Sequence, residues 1–145
     1  MRRLKTALVL VVVGMGAVAL RCSSPQQEVK KAVLKLAAAV EDKDLLALAE
    51  GIASDYSDRY GNDRSGVLAS MRMVFQQYES IVVLVEASEP QIDEAGQNGS
   101  VACKVAVRAK TPTGEIGEDS LRATLKLRKE GRRWLLTEGQ VDPVP

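Results

Sequence analysis

The chain has 145 residues, with 20 basic and 19 acidic side chains, two cysteines and no histidine. This near balance of charge gives no strong attraction to nucleic acid, and five aromatic side chains (one Trp, three Tyr, one Phe) are too few to stack on single strands. Without histidine the chain lacks the commonest general base and transition-metal ligand, and its cysteines lack zinc spacing. We therefore expect no metal, no cofactor and no nucleic-acid partner.

The first 21 residues have the layout of an export signal. Arg2, Arg3 and Lys5 precede an uncharged run, Thr6–Leu20, that is rich in valine, alanine and leucine. We predict export to a bacterial cell envelope, with residues 1–21 as signal or anchor, 22–27 as a tether and 28–142 as one domain.

Three fates of this segment remain open. Cys22 directly follows the apolar run, as in a lipoprotein whose lipidated cysteine holds it to the membrane, although Arg21 departs from the small residue usual there. Cleavage after Ala19 would instead release a secreted or periplasmic protein. Retention as an anchor is the third fate, although fifteen residues at about 1.5 Å each reach about 22 Å, less than a bilayer core of about 30 Å.

Three segments of the following chain predict helices, because apolar residues recur at a period near 3.6. The second segment follows Asp44, which we predict as its N-cap, and runs to Ile52; a third begins after a predicted cap at Ser65 and ends at Tyr78. The first segment carries apolar residues three or four positions apart: Val29, Val33, Leu36 and Val40.

The apolar period changes to two after Tyr78, which predicts strands. Asn98-Gly99 predicts a tight hairpin turn, since this pair accepts positive φ angles, and Cys103 falls at an apolar position where it should be a small buried side chain. Helices followed by strands predict an α+β fold, with about three helices on an antiparallel sheet of four to six strands. The predicted strands are Ser80–Ala87, Gln91–Ala95, 101–110, 121–128 and Trp134–Val141.

Two of the predicted strands carry a second, polar pattern. Along these strands, one set of alternating positions is apolar and contains no acid. The other set carries bases, which would cluster on one face of the sheet if the two strands pair. Such a face could bind an anionic envelope component or an acidic protein surface, and ordinary solvation is the competing interpretation. The six basic residues are Lys104, Arg108, Lys110, Arg122, Lys126 and Arg128.

Several local motifs between Glu28 and Val141 occur in the same order as in a known superfamily. They are Lys43-Asp44-Leu45, Asp55-Tyr56-Ser57-Asp58, Gly61-Asn62-Asp63-Arg64, Phe75-Gln76-Gln77-Tyr78 and Gly131-Arg132-Arg133-Trp134-Leu135-Leu136. In these features the chain resembles the nuclear transport factor 2-like superfamily of cystatin-like α+β cones. The resemblance implies a curved sheet wrapped around a helix with a conical pocket, in a group that contains isomerases, dehydratases, cyclases and non-catalytic binding modules.

The resemblance implies two sets of site residues. An isomerase or hydro-lyase of this kind needs a carboxylate base and a hydrogen-bond donor, for which the candidates are Asp55, Tyr56, Asp58 and Tyr60. Helix caps and side-chain turns are the competing interpretation of these residues. The second set would line the pocket or simply form core: Val74, Phe75, Val83, Val105, Leu125 and Trp134.

We therefore expect a membrane-tethered, exported ligand- or protein-binding module without catalytic activity, and a small-molecule isomerase or hydro-lyase is the alternative. Members that the chain resembles also pair through the sheet. The six bases on that face would oppose a homodimer unless Glu118 or Asp119 compensates for them.

Overall fold

The computed structural model describes residues 23–143, which form three helices followed by five strands. The helices are α1 (Pro25–Glu41), α2 (Leu45–Glu50) and α3 (Arg64–Gln77). None of them is long and apolar enough to cross a bilayer. The predicted export segment, its Ala19 cleavage site and Cys22 lie outside the described residues.

Side-chain caps determine where the helices begin. Ser24 caps α1 by accepting from the Gln27 backbone N–H, and Gln27 reciprocates with its side chain. Asp44 accepts from the Ala47 N–H, which confirms it as the N-cap of α2. The cap of α3 is Asp63 rather than the predicted Ser65, so this helix begins two residues earlier than expected.

All five strands belong to one curved antiparallel sheet. Its order is β1-β3-β4-β5, and the short β2 pairs with the beginning of β3. The α+β architecture of three helices on this sheet confirms the predicted fold class. The strands are β1 (Ser80–Ala87), β2 (Gln91–Ile92), β3 (Asn98–Lys110), β4 (Ile116–Glu130) and β5 (Arg133–Pro143).

Two groups of buried side chains form the core. The first, here called the sheet cluster, joins the first half of α1 to the inner face of the sheet: Val29, Val33, Val101, Cys103, Leu127 and Trp134. The second, the helix cluster, joins the end of α1 to the chain around α2: Ala39, Leu48, Ile52 and Tyr56. Leu136 packs against both clusters, so it connects the helical layer to the sheet.

The predicted turn at Asn98-Gly99 is wrong. The reversal lies at Glu94–Gly96, where Gly96 has φ +70° and Asp93 accepts from the backbone N–H groups of Gln97 and Asn98. Gly99 lies in β3 opposite Ile92, where a Cβ atom would come within 3.0 Å of that side chain. Glycine serves close packing here rather than a turn.

Leu127 tests how much the sheet cluster contributes to stability. Its side chain is 1% exposed, so Leu127→Ala should lower the free energy of unfolding by about 2–5 kcal/mol through lost burial and a residual cavity. The matched control is Leu46→Ala, whose side chain is 72% exposed and whose effect should stay within about 0.5 kcal/mol. Urea denaturation measures both variants, and equal effects would contradict the assignment of the core.

Candidate functional site

The loop between α2 and α3 carries the four predicted catalytic candidates and is organised around Asp58. The Asp58 carboxylate accepts hydrogen bonds from the Tyr60 N–H at 2.9 Å, the Asn62 N–H at 3.1 Å and the Tyr56 hydroxyl at 2.9 Å. Partial desolvation raises the pKa of Asp58, but the bonds from Asn62, Tyr56 and Tyr60 outweigh it and hold that pKa below its usual value. A carboxylate stabilised in this way is a weak proton acceptor.

Tyr56 is the buried partner of Asp58. Its ring belongs to the helix cluster, while its hydroxyl donates to Asp58 and accepts from the Gly139 N–H at 3.2 Å. Burial first, and the Asp58 bond second, raise the pKa of Tyr56 to about 12. The Tyr56 hydroxyl proton is therefore engaged in the hydrogen bond to Asp58. In this conformation the Tyr56 hydroxyl is not free to donate to a substrate oxygen.

The other two candidates, Tyr60 and Asp55, bind this loop to strands of the sheet. The Tyr60 hydroxyl donates to the Val141 carbonyl at 2.6 Å and accepts from the Val141 N–H at 3.2 Å, which satisfies backbone groups on the edge strand β5. Asp55 receives two hydrogen bonds from Arg128, at 2.9 and 3.0 Å, and this interaction lowers the pKa of Asp55. The structure thus brings Tyr56 and Asp58 together and places Asp55 with a different partner.

The predicted pocket-lining residues divide between core and partly exposed positions. Trp134 is buried in the sheet cluster, and Val105 and Leu125 pack against it, whereas Phe75 packs against the helix cluster. Val74 and Val83 are partly exposed.

An apolar part of the inner face belongs to neither cluster. It lies toward the Lys110 end of β3 and is called here the distal inner surface: Val83, Val107 and Leu121. All three side chains are partly exposed, and Val83 and Val107 face each other across β1 and β3. Helix α3 packs against the helix cluster and buries none of its own side chains completely. This combination leaves apolar inner-face area accessible to a ligand.

One acid, Asp119, lies on the inner face of the sheet, although no acid was expected there. The sequence pattern began this strand at Leu121, but β4 begins at Ile116, so Asp119 pairs with Val107 and lies at the rim of the distal inner surface. Its side chain is exposed. The signal was available, because the two-residue alternation continued backward from Leu121 reaches Asp119.

The six predicted bases lie on the outer face, but nearby acids partly neutralise them. Arg108 pairs with Glu118, Lys126 with Glu138, and Arg128 with Asp55 and Glu130. Lys104 and Arg122 face each other across β3 and β4, and their outer neighbours in the register are acidic. The resulting row reads acid, base, base, acid: Glu86, Lys104, Arg122 and Asp142.

The same outer face also carries exposed apolar side chains. Leu84 is 66% exposed beside a depression of about 360 Å³ that includes Ala106 and Ser120. The face is therefore mixed in character rather than purely basic. Within residues 23–143, no three Cys, Asp or Glu side chains form a group suited to a metal ion.

No protein-family model matches the chain, and no curated protein matches it. Solved structures do. A candidate dehydratase of the nuclear transport factor 2-like family from Streptomyces avermitilis superposes with a TM-score of 0.68 at 18% identity, covering 82% of this chain and 96% of that one. A nuclear transport factor 2-like superfamily protein from Salmonella enterica serovar Typhimurium gives 0.70 at 11% identity, covering 86% and 94%.

The chain has the nuclear transport factor 2-like fold. A candidate scytalone dehydratase from Novosphingobium aromaticivorans agrees, with a TM-score of 0.70 at 11% identity and coverage of 92% of this chain and 89% of that one. Identities this low establish the shared fold and leave the activity to be argued from the site itself.

The Tyr56–Asp58 pair predicts a specific alkaline titration. Tyr56 should give a tyrosinate absorbance change near pH 12, and its contribution to stability should be lost between about pH 10 and 12, since the unfolded tyrosine deprotonates first. In Tyr56→Phe both the late absorbance change and this part of the stability loss should disappear. Tyr78→Phe is the control and should retain both, and persistence of the late signal in Tyr56→Phe would contradict the pairing.

Proposed function

We propose that the protein is an exported, membrane-tethered module that binds a small apolar ligand on the distal inner surface and does not catalyse a reaction. The observation that carries this proposal is the partial exposure of Val83, Val107 and Leu121 on the inner face, outside both core clusters. Burial of apolar area is favourable by roughly 25 cal/mol per Å², so a ligand that covers these side chains gains affinity from the area they leave exposed.

The polar surroundings suit binding better than proton transfer. Asp58 accepts from three neighbouring residues of its own loop, and the proton of Tyr56 is directed to Asp58. A ligand would meet apolar side chains with Asp119 as a polar group at the rim, which is the usual composition of a small-molecule site.

The tether is proposed from residues 1–22 and from the position of α1. The helix begins at Pro25, inside the segment predicted as a flexible tether, so only Ser23 and Ser24 separate it from Cys22. A lipidated Cys22 or a retained segment would therefore hold the domain close to a membrane of the bacterial envelope, and cleavage after Ala19 would release it.

The outer face is proposed as a surface for a protein partner, which includes a second copy of the chain. Glu118 lies 3.4 Å from Arg108, which supports self-association to the extent that it compensates for one of the six bases. The alternation of acids and bases favours a partner that carries both charges over a purely anionic polymer.

A second candidate function, that of a small-molecule isomerase or hydro-lyase, is favoured by Asp119. This exposed carboxylate shares the inner face with Val107 and accepts one hydrogen bond, from the Ser120 N–H at 2.8 Å, so it could reach a bound molecule. Asp55 and Asp58 each accept at least two hydrogen bonds from other groups. In that case Asp119→Asn should abolish turnover while ligand retention persists.

Native mass spectrometry of the full chain purified from its own membranes tests the proposal. We expect a small apolar molecule to remain bound, and a lipid-sized addition at Cys22 would report the tether. Val107→Phe should displace the ligand by filling the distal inner surface, whereas Leu84→Phe, which adds the same side chain to the outer face, should retain it. A wild-type chain without ligand, or equal retention in both variants, would contradict the binding site.

A further inference from the structure

We infer that the end of the domain from which α1 emerges lies against an anionic phospholipid bilayer, which it contacts through Lys31, Arg132 and Arg133. The inference rests on the proposed tether and adds the orientation of the domain, together with the lipid chemistry that determines it.

The start of α1 and the turn between β4 and β5 lie at the same end of the molecule. Glu28, in the first turn of α1, accepts from Trp134 Nε1 at 3.0 Å and lies 3.8 Å from Lys129 Nζ. A groove of about 610 Å³ separates α1 and α2 from this turn, and Ser23, Arg132 and Arg133 all contribute to its lining. The first described residue of the chain therefore lines the same groove as the two arginines.

The bases at this end are available to an external anion. Arg132 and Arg133 are exposed at the tip of the hairpin, where Gly131 adopts φ +62°, and Lys31 is exposed on α1. In the described part of the chain, no carboxylate oxygen lies within 4 Å of their charged nitrogens. Neighbouring bases are paired: Lys30 Nζ lies 3.0 Å from Glu89 and Arg128 NH2 2.6 Å from Glu130.

The acids of this end do not cancel the three bases. Glu28 and Glu130 have basic partners, as described above. The turn after β2 also lies here, because the Lys129 N–H donates to the Gln97 carbonyl at 2.8 Å, and this turn contributes the exposed Asp93 and Glu94. Three bases against these two acids leave a small positive excess at the tip, whereas the rest of the groove is lined by Lys35 and by Asp42, Asp44 and Glu50. Each base near an anionic membrane strengthens attachment about fivefold.

The proposed tether brings this surface within range of the headgroups. Ser23 and Ser24 span about 7 Å when extended, and electrostatic attraction acts over about 8 Å at physiological salt. Lys110 lies at the other end of β3, about 40 Å away along the strand, so bases there cannot approach the same bilayer. The distal inner surface lies toward that far end, which makes it accessible from the aqueous side of the envelope.

Trp134, the single tryptophan of the chain, reports this orientation because it adjoins Arg133. The experiment incorporates the full chain into vesicles that contain dansyl-labelled headgroups and measures energy transfer from Trp134. We expect higher transfer in phosphatidylglycerol vesicles than in phosphatidylcholine vesicles, and a fall to the phosphatidylcholine level at high salt or in the double variant Arg132→Glu/Arg133→Glu. The matched double reversal Lys104→Glu/Arg122→Glu, on the outer face, should leave the transfer unchanged.

Flotation of the same vesicles separates the two proposals. A chain that floats with both lipids but shows equal transfer, or that loses transfer only in Lys104→Glu/Arg122→Glu, overturns the inference and leaves the tether intact. A chain that floats only with phosphatidylglycerol, in a manner that depends on Arg132 and Arg133, supports the inference and rejects the tether. A chain that floats with neither lipid rejects both, and circular dichroism verifies that the variants are folded.

Discussion

The close approach of α1 to the sheet at Gly99 is the contact on which the rest of the structure depends. A Cβ atom at this position would lie 3.0 Å from Ile92, 3.3 Å from Val29 and 3.5 Å from Trp134, so glycine lets these side chains pack over β3 without displacing one another. Their contact also places Glu28 where it accepts from the Trp134 indole N–H. One missing side chain thereby fixes the beginning of α1 against the β4–β5 hairpin and determines which loops share that end of the domain.

The two ends of the inner face differ because α1 leaves the sheet as it proceeds. Val29 and Val33 belong to the sheet cluster, but Ala39 already belongs to the helix cluster, together with the chain around α2. Glu41 accepts from the Val83 N–H at 2.8 Å, so the end of α1 satisfies the free edge of β1 instead of covering the inner face. The proximal half of the sheet is consequently filled by α1. In the distal half Val83, Val107 and Leu121 stay partly exposed, whereas Ile81 and Ala109 beyond them are buried.

Period and capping signals predicted most of the fold, since helices and strands here obey local rules: β1 has the predicted bounds, and Asp44 caps α2 as expected. The predictions failed where contacts between residues far apart in the sequence determine the local structure. Asn98-Gly99 carries the sequence signal of a turn, yet packing against α1 places it in a strand. Tyr56 could be predicted to bond within its loop, but its second partner, Gly139, is 83 residues away. Except for Glu130, the acids that pair with bases of the outer face lie on other strands or in the loop after α2, so no single segment revealed them.

The chain has other exposed apolar side chains that could cover the distal inner surface. Helix α3 carries Met73, whose side chain is 70% exposed, while the inner positions of the same helix pack against the helix cluster. A different rotation or tilt of α3 could bury more apolar area, which would stabilise the fold at roughly 25 cal/mol per Å². Features that sacrifice stability in this way are concentrated where function requires them. Arg64 holds the start of α3 through bonds to the Ala49 and Ile52 carbonyls, and this orientation is the one that the proposed binding surface requires.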